Sequence, residues 1–331
     1  MMNYEIFKEV VTEKFKDFLP KEYEGLDIIV NPTKKVNQEL DGLTLSGDGI
    51  RVAPTIYINS MYEKYKECEN LDQVIREAAG TMEQAMSEGK KLLPALEIDN
   101  AKDNIVFQLA NTQQNEALLA DIPNRAFQDL SIVYRWVIKV DDDGIQSTMV
   151  TDDLAKQFEM SEEELFKVAV ENTKRIFPPV VRNMNDVIKE LFIKDGMPPE
   201  MVEAMIGEMP PDRAMYVITN EQGINGAISM LYEDKLHTLA TDLGTDLYIM
   251  PSSTHEVIAV SSDMGDPEEL AQMVAEINMS EVSLEDRLSN QVYHYDKDLR
   301  KLTLATDTPN KRIDGIVAEP NLIYQANEKA R

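Results

Sequence analysis

Residues 246–295 read DLYIMPSSTHEVIAVSSDMGDPEELAQMVAEINMSEVSLEDRLSNQVYHY, and this stretch organises the predicted fold. The apolar run from Leu247 to Met250 and the β-branched run from His255 to Val260 lie on either side of the turn residues Pro251 to Ser253. Short runs of this kind around a turn predict a β-hairpin.

A helix is predicted directly after this hairpin. Asp266 precedes a proline and two glutamates, which is the pattern of an N-cap, a proline in the first turn and carboxylates at the positive end of the helix dipole. The helix is expected to continue to about Asn278. Its apolar residues recur at spacings of three and four, so one face is expected to lie on a sheet. These residues are Leu270, Met273, Val274 and Ile277.

Alternating runs elsewhere predict further hairpins. Residues 291–295 and 301–305 flank one polar turn, and residues 130–140 and 145–150 flank another, from Asp141 to Gly144. The three consecutive aspartates of the second turn could hold a hard cation through their carboxylates, but the alternating ligands of a calcium loop are missing. A solvated turn is the alternative that the sequence favours.

The first part of the chain predicts a helix and a small meander. A helix capped by Asn3 is expected to extend to Phe18 and to end before Pro20. Short strands at 26–30 and 43–45 are expected to be joined through a turn that contains Asp41-Gly42. The apolar face of the helix, as its spacing predicts it, contains Ile6, Val10, Val11, Phe15 and Phe18.

Residues 178–211 are interpreted as a helical connector. They contain three Pro-Pro pairs, which interrupt helices, and two short helical patterns at 181–193 and 200–209. The methionines of the connector could line an adaptable partner groove, because thioether side chains repack readily, although packing into a core is the interpretation we favour. They are Met184, Met197, Met201, Met205 and Met209.

Together these elements predict an α+β protein with mostly antiparallel sheets covered by amphipathic helices. The chain has 331 residues, which exceeds the usual size of a single core. We expect an N-terminal α+β domain at 1–120, a C-terminal α+β domain at 121–308 that includes the connector, and an irregular tail at 309–331. Within the last residues, a segment from Ile313 to Val317 is expected to be held in place.

The formal net charge is −27, and the acidic residues are distributed along the chain. A distributed negative field opposes binding to phosphate backbones and to anionic membranes. We therefore expect neither direct nucleic-acid binding nor membrane association. The same field could attract a basic protein or imitate DNA, although solubility in the cytoplasm is its commoner cause.

The cysteine content and the hydropathy limit the protein further. One cysteine, Cys68, excludes an internal disulfide framework and a cysteine-based zinc site. No apolar run is long enough to span a membrane, and the start MMNYEIFKEVV lacks the apolar region of a secretory signal. We expect a soluble cytoplasmic protein with no cofactor and no metal.

Candidate catalytic residues are few. The sequence has three histidines and none of the common zinc-protease, phosphate-loop, dinucleotide or nucleophile-elbow motifs. His255 is the best candidate, with Ser253 as a nearby hydroxyl and Asp263 or Asp246 as its carboxylate. Serine and threonine before a strand are also ordinary turn residues, which is the alternative that we favour.

Two pairs of aromatic residues are candidate interaction residues. Tyr134 and Trp136 share one face of a predicted strand, and Tyr293 and Tyr295 repeat this arrangement near the end of the chain. Such rings could stack on a ligand or a partner. Burial of both pairs in a core is the default interpretation.

Several fragments carry a resemblance to a known family. They are LDGLTL, APTIYINSMYEKYKE, LSIVYRWVI, LYIMPSSTHEVIAV, DPEELAQMVAEIN and LSNQVYHYD. Over most of residues 3–305 the chain resembles a family of uncharacterised proteins from anaerobic, largely gut-dwelling bacteria. Because that family is a domain of unknown function, the resemblance implies no catalytic residue, ligand or partner.

The leading functional hypothesis is a non-enzymatic interaction or regulatory protein whose acidic surface binds a basic protein partner. The alternative is a hydrolase of an unrecognised type that uses His255 with nearby hydroxyl or carboxylate groups. It requires a concave pocket with His255 and a second polar side chain within hydrogen-bond reach. DNA mimicry is a third hypothesis, and it requires rows of carboxylates along one elongated face.

Overall fold

A computed structural model of the chain describes residues 1–48, 53–92, 101–141, 144–207, 209–308 and 312–314. By the contacts between residues, the chain divides into two compact units. Unit 1 consists of residues 1–110, 115–125 and 132–178, and unit 2 consists of residues 111–114, 126–131 and 179–331. The boundary between two domains that the sequence predicts near residue 120 stays a prediction.

Within the described residues, helices are combined with three antiparallel sheets. The predicted α+β class is confirmed. The first sheet and its helices lie in unit 1 and share one apolar core. Their elements are α1 Tyr4–Lys14, β1 Asp27–Lys35, β2 Gln38–Ser46, β3 Thr55–Tyr57, α2 Ile58–Cys68 and α3 Leu71–Leu92.

Helix α1 begins where the sequence predicts, but its buried face differs from the expected one. The side chain of Asn3 caps the helix and accepts a hydrogen bond from the backbone N–H of Ile6 at 3.0 Å. Phe7, Val11 and Phe15 are fully buried, whereas the side chain of Ile6 is 48% exposed. The assignment of Ile6 to the face was wrong, because a spacing of four residues places Phe7 in line with the other two.

The turn between β1 and β2 falls at Val36 and Asn37, and Asn37 adopts a left-handed conformation with φ of 67°. Asparagine tolerates that conformation better than most residues. The predicted turn at Asp41 and Gly42 was wrong, since both residues lie within β2. A Cβ atom at Gly42 would approach Thr33 Oγ1 to 2.5 Å, so close cross-strand packing rather than a turn explains this glycine.

The second sheet has the order β4-β6-β5, with β7 paired to β6. The predicted hairpin of β6 and β7 is confirmed, while Asp142 and Asp143 of its turn lie outside the described residues. A capping box is also present in this region, with Ser161 and Glu164 bonded reciprocally. The elements of this region are β4 Ile105–Asn111, α4 Glu116–Leu119, β5 Asn124–Phe127, β6 Leu130–Asp141, β7 Gly144–Met149, α5 Asp152–Gln157 and α6 Glu162–Ile176.

Unit 2 is built on a six-stranded antiparallel sheet with the order β13-β12-β10-β11-β9-β8. Both hairpins predicted in the 246–305 region are confirmed, as β10 pairs with β11 and β12 pairs with β13. The elements are β8 Pro179–Asn183, α7 Met184–Lys194, α8 Pro199–Ile206, β9 Tyr216–Asn220, α9 Glu233–Leu243, β10 Leu247–Met250, β11 Val257–Ser261, α10 Pro267–Ser280, β12 Tyr293–Asp296 and β13 Lys301–Leu304.

The connector begins with a strand rather than a helix. Val181 was expected at the start of a helix, but it lies in β8, where it pairs with Ile218 of β9. Two adjacent valines favour extended backbone, and Pro179 is tolerated because β8 is an edge strand. Helices α7 and α8 then follow as the sequence predicts.

Helix α10 packs on one face of this sheet as its spacing predicts. The carboxylate of Asp266 caps the helix and accepts from the backbone N–H of Glu268 at 2.9 Å. Ala271 and Val274 are buried against Met250 and Val260 of the sheet. The sequence therefore predicted the position and the cap of this helix. Of the four residues expected on its buried face, only Val274 is buried, whereas Met273 and Ile277 are each 44% exposed.

Candidate functional site

His255 lies in the loop that leads into β11, and both nitrogens of its ring have a partner in unit 2. The backbone N–H of Asn225 donates to Nδ1 at 3.2 Å, and Nε2 lies 3.0 Å from Oδ1 of Asp286. Because Nδ1 accepts a hydrogen bond, Nε2 carries the hydrogen that faces the carboxylate. The ring therefore links the segment of Asn225 to the turn of Asp286.

Ser253 and Asp263 make other contacts. The hydroxyl of Ser253 accepts from the backbone N–H of His255 at 3.0 Å and is not bonded to its ring. Asp263 lies in a short 3-10 helix, and its backbone N–H donates to the hydroxyl of Ser261 at 3.2 Å. Among the described residues, the carboxylate bonded to the ring is Asp286, which sequence reasoning missed because no local spacing signals a partner so far along the chain.

Asp246, the other carboxylate considered for His255, pairs with a different histidine. Its Oδ2 lies 3.1 Å from Nε2 of His294, and its Oδ1 accepts from the backbone N–H of Lys297 at 2.9 Å. This pairing follows from the register of β10 and β12, in which Leu247 lies opposite Tyr295. Asp246, which directly precedes β10, therefore connects the start of β10 to β12 and to the residue that follows β12.

The four candidate aromatic residues are buried. Trp136 is 5% exposed, and Tyr134, Tyr293 and Tyr295 have no exposed area. Trp136 packs edge-on against Phe158 within unit 1, with ring centroids 5.4 Å apart. Since the surface of the folded chain displays hardly any area of these rings, their placement agrees with the default interpretation of core burial.

The hydroxyl of each of the three tyrosines among these residues donates to a carboxylate. Tyr134 donates to Glu162, Tyr295 donates to Glu233, and Tyr293 donates to Asp129, which is itself buried. Burial together with the neighbouring carboxylate raises the pKa of each of these tyrosines well above its usual range. The hydroxyls thus remain neutral donors that satisfy buried polar groups.

Unit 2 contains an apolar cleft of about 310 Å³ between α10 and the sheet. Met250 and Ile258 line it from neighbouring strands. Met273 and Ile277 line it from α10, and the side chain of each is 44% exposed. Met215 lines a further side of the cleft, and its side chain is also 44% exposed. The cleft is therefore open to solvent along an edge that is rich in methionine.

The segment that forms the helical side of this cleft is strongly acidic. Residues 262–281 contain six carboxylates and no lysine or arginine. All six are exposed, and none forms an ion pair with another described residue. They are Asp263, Asp266, Glu268, Glu269, Glu276 and Glu281.

The connector also displays methionines to solvent. Met201, Met205 and Met209 are 59%, 54% and 47% exposed. The favoured interpretation of core packing is therefore wrong for these three, since the buried residue of α8 is Val202. Met184 and Met197 are half-buried.

Among the described residues, no group of three or more histidine, cysteine, aspartate or glutamate side chains is arranged to hold a metal ion. In the same part of the chain, no helix combines the length and the apolar character needed to cross a membrane.

The architecture defines a two-unit α+β protein with antiparallel sheets, and comparison with known proteins places it in a family. Residues 4–297 match the family described as a family of unknown function, DUF5688. The chain belongs to this family. No curated protein and no solved structure matches the chain.

Proposed function

We propose that this protein is a non-enzymatic cytoplasmic interaction protein whose acidic surface binds a basic protein partner. The observation that carries the proposal is the run of six exposed carboxylates at 262–281, which has no cation of its own and no ion pair with a described residue. Such a surface leaves its negative charge available to a positively charged partner.

The arrangement around His255 argues against hydrolysis with this histidine as the base. A general base needs a free lone pair directed at the hydroxyl that it activates. Here the lone pair of Nδ1 is occupied by the backbone N–H of Asn225, and the hydroxyl of Ser253 is bonded to the backbone of His255 rather than to its ring. Both contacts hold the loop in place, which is a structural use of these side chains.

The electrostatic component predicts a particular salt dependence. Exposed charges attract each other over roughly 10 Å at about 0.1 M salt, and over only about 3 Å at 1 M. Binding of a basic partner should therefore be strong at low ionic strength and should weaken steadily as salt is added.

A pull-down with the immobilised full chain tests the proposal. We expect basic proteins to be retained from a native lysate at low salt and released as salt rises. The variant with Glu268→Gln, Glu269→Gln and Glu276→Gln should lose most of this retention. A matched variant with Glu9→Gln, Glu13→Gln and Glu24→Gln removes three exposed carboxylates from unit 1 and should retain the same proteins.

Two outcomes would count against the proposal. The first is a column that retains nothing basic at low salt. The second is a set of retained proteins that neither salt nor the 268/269/276 variant releases, because such binding does not depend on these carboxylates.

A further inference from the structure

Building on the proposed function, we propose that the cleft between α10 and the strands β10 and β11 receives the apolar anchor residues of a basic amphipathic helix. The shape of the cleft, the residues that line it and the charges beside it favour this occupant.

The volume of the cleft suits individual side chains of a partner. Its volume of about 310 Å³ lies at the lower end of the range of small ligand sites, roughly 300–1,000 Å³. A cavity of about 150 Å³ holds one benzene ring. Two large apolar side chains, spaced three or four residues apart on a helix, are therefore an occupant of suitable size.

Apart from Ser252, the residues that line the cleft are apolar. At the floor, Met250 is 6% exposed, and it lies opposite Ile258 in the register of β10 and β11. At the rim, Met215, Met264 and Met273 are between 38% and 44% exposed. Methionine side chains are flexible and polarisable, and surfaces rich in them adapt to different apolar helices.

The charges beside the cleft select the sign of the partner. On a helix, residues three and four positions apart are neighbours, so Glu269 and Glu276 both lie beside Met273 on α10. A fatty acid would bring its carboxylate close to these two carboxylates and be repelled. A helix with lysine or arginine around its apolar stripe gains both the burial and the charge attraction.

A defined peptide probes this site. The probe is a synthetic peptide of about 18 leucine and lysine residues with leucine at helical i, i+3, i+4 and i+7 spacing. A scrambled peptide of the same composition keeps the charge and loses the apolar stripe. A third peptide replaces lysine with glutamate and keeps the stripe. Binding to the full chain is measured by titration calorimetry at low salt.

We expect the amphipathic basic peptide to bind at least tenfold more tightly than the scrambled one, because burial of one leucine accounts for roughly that factor or more. The glutamate peptide should not bind measurably. The double variant Met273→Gln and Ile277→Gln should weaken binding of the amphipathic peptide by tenfold or more. Both positions are 44% exposed, so the folded state should tolerate the change, and circular dichroism checks this.

The matched control is the double variant Met201→Gln and Met205→Gln on α8, which replaces methionines that are more exposed and lie outside the cleft. It should leave the affinity unchanged. Equal affinity for the amphipathic and scrambled peptides, or a loss of affinity in the α8 variant alone, would overturn the cleft proposal and leave the charge-based function standing. If neither basic peptide binds at low salt, the proposed function fails as well.

Discussion

Met250 of β10 lies directly opposite Ile258 of β11, and both side chains line the cleft beside α10. Side chains alternate between the faces of a strand, so Val260 lies on the same face as Ile258, two residues along. Val260 is 2% exposed beneath α10, whereas Ile258 is only half-buried. The helix thus covers part of this apolar sheet face and leaves an opening at Met250 and Ile258.

Replacing Asp129 with alanine is expected to destabilise unit 2. Its carboxylate accepts hydrogen bonds from Ser289 Oγ at 2.6 Å and from the hydroxyl of Tyr293, and all three residues are buried. Each buried donor left without an acceptor costs about 1–3 kcal/mol. Urea unfolding should show a clearly lower midpoint for Asp129→Ala.

The control for this prediction is Asp121→Ala, which removes an exposed carboxylate that pairs with Lys34. Exposed ion pairs contribute about 0–1 kcal/mol, so the midpoint should move little. A shift for Asp121→Ala as large as that for Asp129→Ala would contradict this account of the buried hydroxyls.

The pair Arg125–Glu162 in unit 1 is expected to make stability depend on pH. The guanidinium of Arg125 donates two hydrogen bonds to Glu162, at 2.9 and 2.8 Å. These bonds lower the pKa of Glu162, although burial opposes the shift. A carboxyl with a lower pKa in the folded state stabilises that state above its unfolded pKa, and this contribution disappears as the pH falls through the folded pKa.

The variant Arg125→Met should therefore unfold at a lower urea concentration than the parent chain at about pH 7, by an amount equivalent to roughly 1 kcal/mol. The difference should shrink as the pH falls below about 4, the usual pKa of an unfolded glutamate, and through the lower pKa of Glu162 in the folded parent. Unfolding curves recorded over this pH range measure the change, and a difference that stays the same size throughout would argue against an ionic origin.

Two glycines are expected to respond oppositely to alanine. A Cβ atom at Gly226 would lie 2.5 Å from the backbone oxygen of His255 and 2.8 Å from the backbone nitrogen of Asn220. Gly226→Ala should cost about 1–3 kcal/mol, because backbone atoms must shift. Gly80 lies on the exposed side of α3 with nothing within 4 Å, so Gly80→Ala should stabilise by about 0.5–1 kcal/mol.

Thermal unfolding of both variants checks this pair of predictions. The parent chain should melt between them, with Gly80→Ala above it and Gly226→Ala below it. A Gly226→Ala variant as stable as the parent would show that the backbone of this segment can move without loss.

Elements with a complete local signal were predictable from the sequence. The cap at Asp266 and the apolar spacing along α10 predicted the helix, and an apolar run and a β-branched run on either side of a turn predicted the β10–β11 hairpin. The strand β8 was not predicted, because Val180 and Val181 stand next to a helical pattern and only their pairing with β9 makes them a strand. The pairing with β9, rather than the local sequence, therefore determines that these residues form a strand.

The site depended even more on contacts that local spacing does not encode. Asp286 meets His255, and Asp129 meets Tyr293, although long stretches of chain separate the members of each pair. The exposure of Met201 and Met205 was missed for a related reason. The sequence shows that a side chain is apolar and therefore favours burial. It does not show whether the fold places another residue over that side chain.

The central claim is that a basic amphipathic helix binds at the cleft of unit 2. The most direct measurement uses the full chain labelled with ¹³C at its methionine methyl groups and titrated with the leucine–lysine peptide. The account predicts that the signals of Met215, Met250, Met264 and Met273 shift, and that those of Met201 and Met205 on α8 stay in place. Shifts confined to the α8 methionines, or no shift at saturating peptide, would contradict it.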